Sequence, residues 1–152
     1  MFYLNKELEL TTELLCKMIN KFVLDEKPRM ERYKNYYDGK QAILTHSYSD
    51  AERNSNKVVI NYSKSIADAY AGYLAAPGYI SYHSNNDIEH IMDVLRYNDY
   101  QEEDASFLLD ALIYGRACEL MYVDSDSKTR FRLINPTTCF GIYDDSLTGD
   151  LM

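Results

Sequence analysis

The sequence predicts an α+β fold, with helices first and a small antiparallel β-meander after them. Apolar residues recur at three- and four-residue spacing through several segments up to Tyr114. From Ala117 onward the pattern changes to short runs of five to seven residues separated by Asp, Ser, Asn and Pro turns. Between the two halves stands "IYGRACEL", where a helical pattern meets a strand pattern at Gly115.

Taken in order, Thr11 or Thr12 can cap a first helix, and Glu13 is favourable at its positive end. Leu14, Leu15, Met18, Ile19, Phe22 and Val23 then form its apolar stripe. "DEKP" is expected to break the run, and Pro28 to open a second helix at its first position. Met30, Tyr33 and Tyr37 share a face of that helix, and Gly39 can end it in the left-handed region. Residues 1–40 are therefore read as N-terminal helices. Residues 41–56, with "THSYSDAERNSN", lack periodicity and are read as a polar, mobile loop.

Residues 57–152 are read as further helices plus the meander. Val59, Tyr62, Ile66, Ala69, Tyr70 and Tyr73 recur on one apolar, Tyr-rich face. Ala67, Ala71, Gly72, Ala75 and Ala76 are small enough to admit a close neighbour. Pro77-Gly78 ends this helix, and "YISYH" is expected to be a short strand. Asn86 or Asp87 caps a helix carrying Ile88, Ile91, Met92 and Leu95. The next helix carries Ala105, Leu108, Leu109, Leu112 and Ile113, and Gly115 supplies its positive-φ end. "ACELMYV", "RFRLI" and "CFGIY" are the expected strands of the meander. Acidic "DDSLTGD" is a further turn, and "LM" reads as the start of a fourth strand cut off at residue 152. An open edge of that kind is usually protected, so a longer protein is expected.

Composition narrows the function. The chain has 152 residues, 16 basic and 24 acidic, for a net charge of −8. Nucleic-acid readers carry a basic patch or stripe, whereas Lys27, Arg29, Arg32 and Lys34 are interleaved with Asp25, Glu26 and Glu31. Cys16, Cys118 and Cys139 are odd in number and far apart, which argues against a disulfide framework or zinc site and for a reducing setting. No apolar run approaches the roughly 20 residues that span a bilayer. Fifteen tyrosines and no tryptophan suit half-buried margins and interfaces.

Candidate chemistry is thin. His83, Asp87 and His90 could be grouped as metal ligands, but a fourth ligand is missing and solvated polar residues are the better reading. Asp124, Asp126, Asp144 and Asp145 could serve as acids or Mg²⁺ ligands, yet turns favour Asp for local hydrogen bonding. Ser63 and Ser65 lie in no nucleophile motif, and no phosphate-binding glycine loop occurs. The reading is of no catalytic residue, no cofactor and no metal, hence not an enzyme.

Three segments in order carry a resemblance. They are "RYKNYYDGKQAIL", "NKVVINYSKSIADAYAGYLAAPGYISY" and "ALIYGRACELMYVDSDSKTRFRLINPTTCFGIYDDS". Together they resemble the N-terminal, wing portion of the portal proteins, or head-to-tail connectors, of tailed double-stranded-DNA bacteriophages, over roughly residues 30 to 146. Ala76 before Pro77 departs from that family's more polar pattern. The resemblance implies a fragment of a larger portal fold. It implies a homo-oligomeric ring, a dodecamer in the full-length protein, at one capsid vertex. Its partners would be other portal subunits, terminase, capsid and head-completion proteins. DNA would pass through during packaging and ejection without being held tightly by this segment, and no membrane is involved. The protein would lie in the virion, and in host cytoplasm during assembly. The alternatives are a stand-alone adaptor of prophage origin and, third, a small Asp-dependent hydrolase.

Overall fold

The computed structural model describes residues 2–5, 9–46, 56–76, 78 and 80–144. Elements run in the order β1 (Phe2–Leu4), α1 (Thr12–Lys21), a π-helical turn (Phe22–Glu26), α2 (Lys27–Tyr37) and a 3₁₀ turn (Ala42–Leu44). Then come α3 (Tyr62–Leu74), α4 (Glu89–Tyr97), α5 (Tyr100–Tyr114), β2 (Cys118–Val123), β3 (Thr129–Ile134) and β4 (Ile142–Asp144). The class is mixed α+β, as the sequence predicts.

Thr11 is the first cap. Its Oγ1 accepts from the Leu14 N–H at 3.3 Å, which satisfies one free amide of the first turn. The expected break at "DEKP" does not occur. The helix runs on through a widened turn in which the Lys27 N–H donates to the Phe22 carbonyl. Pro28 has no N–H and would crowd the carbonyl four residues back in a regular helix. A π turn immediately before it absorbs that misfit without ending the helix. Gly39 does terminate α2, at φ +76°.

The sheet differs from the expected three-stranded meander. β2 and β3 form an antiparallel hairpin with Cys118 opposite Ile134 and Val123 opposite Thr129. The third strand is shorter than "CFGIY" and pairs elsewhere, in parallel with β1, with Phe2 opposite Ile142 and Leu4 opposite Asp144. The turn at Asn135 explains the departure. Its Oδ1 accepts from the Thr137 N–H at 3.0 Å and its carbonyl from the Thr138 N–H at 2.9 Å. The chain thus leaves the β3 edge, and Phe140 enters the core. There its ring lies 5.1 Å from both Phe2 and Phe22. Fully burying such a ring is worth about 1.5–3 kcal/mol, so even the partial burial of Phe140 matches or exceeds the roughly 0.2–1 kcal/mol of a cross-strand pair on a hairpin edge. The expected strand "YISYH" is not formed at residues 80–83, which are irregular, and Tyr79 lies outside the described residues. Part of the polar loop (47–55), Pro77, and the acidic turn with the expected fourth strand (145–152) lie outside the described residues.

Phe2, Leu4, Met18, Phe22 and Met30 form the main buried cluster, with Leu14, Tyr114, Phe140 and Ile142 packed against it. Arg116 joins the second half of the chain to it. Its guanidinium lies 2.9 Å from Glu26 and 5.5 Å from the Phe22 ring centre, with both charged side chains largely covered. Asn98 ties the α4–α5 turn to the hairpin. Its Nδ2 donates to the Val94 and Thr129 carbonyls at 2.8 and 2.9 Å, and its Oδ1 accepts from the Phe131 N–H at 3.1 Å.

Gly115 makes the helix-to-strand joint at φ +75°. Nothing lies within 4 Å of an added Cβ there, so only backbone strain opposes substitution. Gly115→Val is expected to destabilise the fold by about 1–3 kcal/mol, and Gly115→Ala by less. Urea melts of the two variants check the order; a Val variant as stable as the parent contradicts it.

Candidate functional site

The face formed by α2, α3 and α5 is built around Tyr37 and Asn61. Tyr37 ends α2, and its hydroxyl donates to Asp68 Oδ1 at 2.6 Å. Lys64 Nζ donates to the same hydroxyl at 3.0 Å and pairs with Asp68 at 2.9 Å. Lys34 and Lys64 lie 4.6 and 4.5 Å from the Tyr37 ring centre. The hydrogen bond from Tyr37, then the one from Lys64, holds the Asp68 carboxyl below its usual range. Asp68 in turn pushes Lys64 up. Lys34, 2.9 Å from Asp38, likewise holds that carboxyl down.

Asn61 links the helices through its side-chain amide. Its Oδ1 caps α3 by accepting from the Lys64 N–H at 3.0 Å, and its Nδ2 donates to the Tyr37 carbonyl at 2.8 Å. One amide therefore satisfies a free donor of one helix and a free acceptor of the other. Gly39 makes room for it, since an added Cβ would stand 3.3 Å from Asn61 Nδ2.

α3 is oriented by its small residues. Ala67 and Ala75 are buried and Ala71 is half-buried, along one stripe at four-residue spacing. The large apolar residues face solvent: Tyr62 is 65% exposed, Ile66 56%, Tyr70 58% and Tyr73 74%. The stripe with the strongest helical periodicity is thus the outer one. Beside it, Tyr33, Tyr36, Ile66, Tyr70 and Leu112 line an open hollow of about 380 Å³.

The sequence-derived chemical candidates are placed apart and tied into local structure. His83 Nε2 is 3.0 Å from Ser81 Oγ. Asp87 Oδ1 accepts from the Glu89 N–H at 2.9 Å, opening α4, and His90 is exposed on that helix. Among the described residues no group of His, Cys, Asp and Glu is arranged to hold a metal ion. Asp124 organises the hairpin turn. Its Oδ1 accepts from the Asp126 and Lys128 N–H groups at 2.9 and 3.0 Å, and its Oδ2 pairs with Arg130 at 3.1 Å. Asp126 is exposed, Asp144 is buried in β4, and Asp145 lies outside the described residues. Ser63 and Ser65 are exposed on α3. Sequence reasoning missed Asn61 and Asn98, although a polar residue just before a helix was an available cue for Asn61.

Polar side chains that hold backbone stand beside a large apolar face turned to solvent, an arrangement of a structural protein. The sequence matches the family model described as phage portal protein, SPP1 Gp6-like, over residues 19–152. The chain belongs to that family, whose role is structural. β1 and the first turns of α1 precede the matched region, yet supply Phe2, Leu4 and Met18 to the core. No curated protein matches the chain. No helix among the described residues is long and apolar enough to cross a membrane.

Asn61→Ala is expected to cost about 2 kcal/mol, from a lost cap of about 1 kcal/mol and an orphaned carbonyl worth about as much. Asn61→Asp keeps the acceptor for Lys64 but faces the Tyr37 carbonyl with an oxygen, so it should recover only part of that loss. Denaturant titration checks both; full stability in Asn61→Asp means that the Tyr37 contact carries nothing.

Asp124 gives a pH signature. Hydrogen bonds from the Lys128 N–H first, then from Arg130 and the Asp126 N–H, hold its carboxyl below the usual range. A depressed folded-state pKa stabilises fully above the unfolded value of about 3.9 and loses that stability as pH falls through the folded value. Asp124→Asn should therefore flatten the fall in stability below about pH 4, followed by acid titration of the melting temperature. An unchanged acid limb removes Asp124 from the account.

Proposed function

We propose that this chain builds part of a phage portal ring and that the outward face of α3 is a subunit contact. The observation that carries this reading is the inversion of α3. Its alanine stripe faces its own fold, and Tyr62, Ile66, Tyr70 and Tyr73 are left to solvent. Tyrosine combines a large apolar body with a polar tip, which suits a surface that is wet before assembly and dry after it. A ring needs two different matching faces on each subunit, and this face supplies one.

On this reading the ring stands at a capsid vertex, serves DNA packaging and ejection, and joins head to tail. Twelve subunits, with terminase, capsid and head-completion proteins as partners, follow from the resemblance. The 57–152 segment is the wing-like unit, preceded by the helices of 1–40. No residue is assigned a catalytic role. A net charge of −8 favours passage of DNA without adhesion.

The test is assembly. Ile66→Asp with Tyr70→Asp places charge on two exposed positions and should leave the melting temperature nearly unchanged. In phage carrying the double variant, rings and packaged particles should be lost. Normal rings in that phage place the contact elsewhere. For the isolated chain, duplex DNA should bind weakly even at low salt, where phosphate contacts are strongest. Sub-micromolar, salt-sensitive binding contradicts free passage.

A further inference from the structure

Cys118 and Cys139 are 21 positions apart in sequence, yet both stand at the base of the hairpin. Cys118 opens β2 opposite Ile134. The chain then turns at Asn135, where the Thr138 N–H donates to the Asn135 carbonyl at 2.9 Å. Cys139 Sγ lies 3.7 Å from that same carbonyl, one residue past the position paired with Cys118. The turn thereby folds Cys139 back toward the strand position that Cys118 faces. Both thiols are free and half-buried, which leaves them open to a small reagent.

We propose that Cys118 and Cys139 are a redox modification site that closes to an intramolecular disulfide on reaction with a small-molecule disulfide. The Cys118 thiolate attacks one sulfur of the reagent, forms a mixed disulfide and expels one small thiolate. The Cys139 thiolate then attacks the Cys118 sulfur, forms the protein disulfide and expels the second small thiolate. Two protein thiols are oxidised, one reagent disulfide is reduced, and the two protons pass to the departing thiolates.

The consequence is mechanical. Cys118 begins the β2–β3 hairpin, and Cys139 precedes Phe140, which is seated between Phe2 and Phe22. Closure would tie the hairpin to the core that holds the β1–β4 pair. Burial, followed by the Cys118 thiol, pushes the Cys139 thiol up to about 11, and Arg116 pulls in the opposite direction. Little Cys139 thiolate exists at neutral pH, so closure is slow there. The second step should accelerate as pH rises above neutrality, because the attacking species is the thiolate. The chemistry needs only the monomer, so it stands or falls apart from the portal reading.

The experiment treats the reduced chain with oxidised glutathione from pH 7 to pH 10 and maps disulfides by peptide mass spectrometry. The expected product is a Cys118–Cys139 peptide pair with two hydrogens lost and no glutathione retained at either residue. Cys16→Ser should give the same pair. Cys118→Ser and Cys139→Ser should each stop at a glutathione adduct on the remaining partner. Oxidised protein should melt higher than its dithiothreitol-reduced form, and slower amide exchange should appear at the hairpin base. Stable glutathione adducts on both Cys118 and Cys139 of one chain overturn the proposal. So does failure to form the pair at pH 10 in protein that melts cooperatively.

Discussion

The side-chain amide of Asn61 is the constraint on which the helical half depends. It donates to the last turn of α2 and accepts from the first turn of α3. Those two bonds fix where α3 begins relative to where α2 ends. The Tyr37–Lys64–Asp68 cluster then has its geometry set by neighbours already in place. Magnitudes decide the order of importance. Exposed ion pairs such as Lys64–Asp68 contribute little, because water screens both charges. An amide whose loss strands a covered backbone group costs about 1–3 kcal/mol. The charges decorate a joint that the amide makes.

From that joint the constraints close into a circuit. α3 packs through Ala67, Ala71 and Ala75 in the layer that α5 shares. α5 ends at Gly115, whose positive φ redirects the chain so that Arg116 reaches Glu26. Glu26 ends the π turn that leads back into α2. The widened turn, the glycine and the asparagine each satisfy a local backbone requirement. Together they determine that the alanine side of α3 is covered and the tyrosine side is not. Ile66 is 56% exposed, so it forgoes roughly half of the about 1.5–3 kcal/mol that full burial of such a side chain brings, a gain left for a partner to recover. Such an arrangement makes sense in a family whose role is structural.

Much of this was legible from local pattern alone. Helices, the Thr11 cap, both left-handed glycines and the Asp-rich hairpin turn follow from rules that act within a few residues. The misreadings have different causes, some local and some from distant contacts. "DEKP" looked like a break because sequence cannot show that a π turn will absorb Pro28. "CFGIY" looked like a third meander strand because Phe140 finds its place against Phe2, at the far end of the chain. β1 is only three residues long and gave too little alternation to mark it. Periodicity found both stripes of α3 but could not say which would be buried. The tyrosines of the site were visible as a face, whereas the two partners of Asn61 were not, because one lies beyond the intervening loop.

Electrostatics completes the reading of the surface. Several carboxylates are committed to structure: Asp124 to the hairpin turn, Asp68 to Tyr37, Asp38 to Lys34, Glu26 to Arg116. Those pairs neutralise charge locally, yet the whole chain keeps its −8. Beside another polyanion that residue of charge repels over about one Debye length, roughly 8 Å at physiological salt, and fades beyond it. On the portal reading, DNA approaching within that range is pushed off the wall, while DNA farther away feels almost nothing. Under the portal role proposed above, repulsion of so short a reach prevents adhesion of a sliding duplex without raising a long-range barrier to its entry.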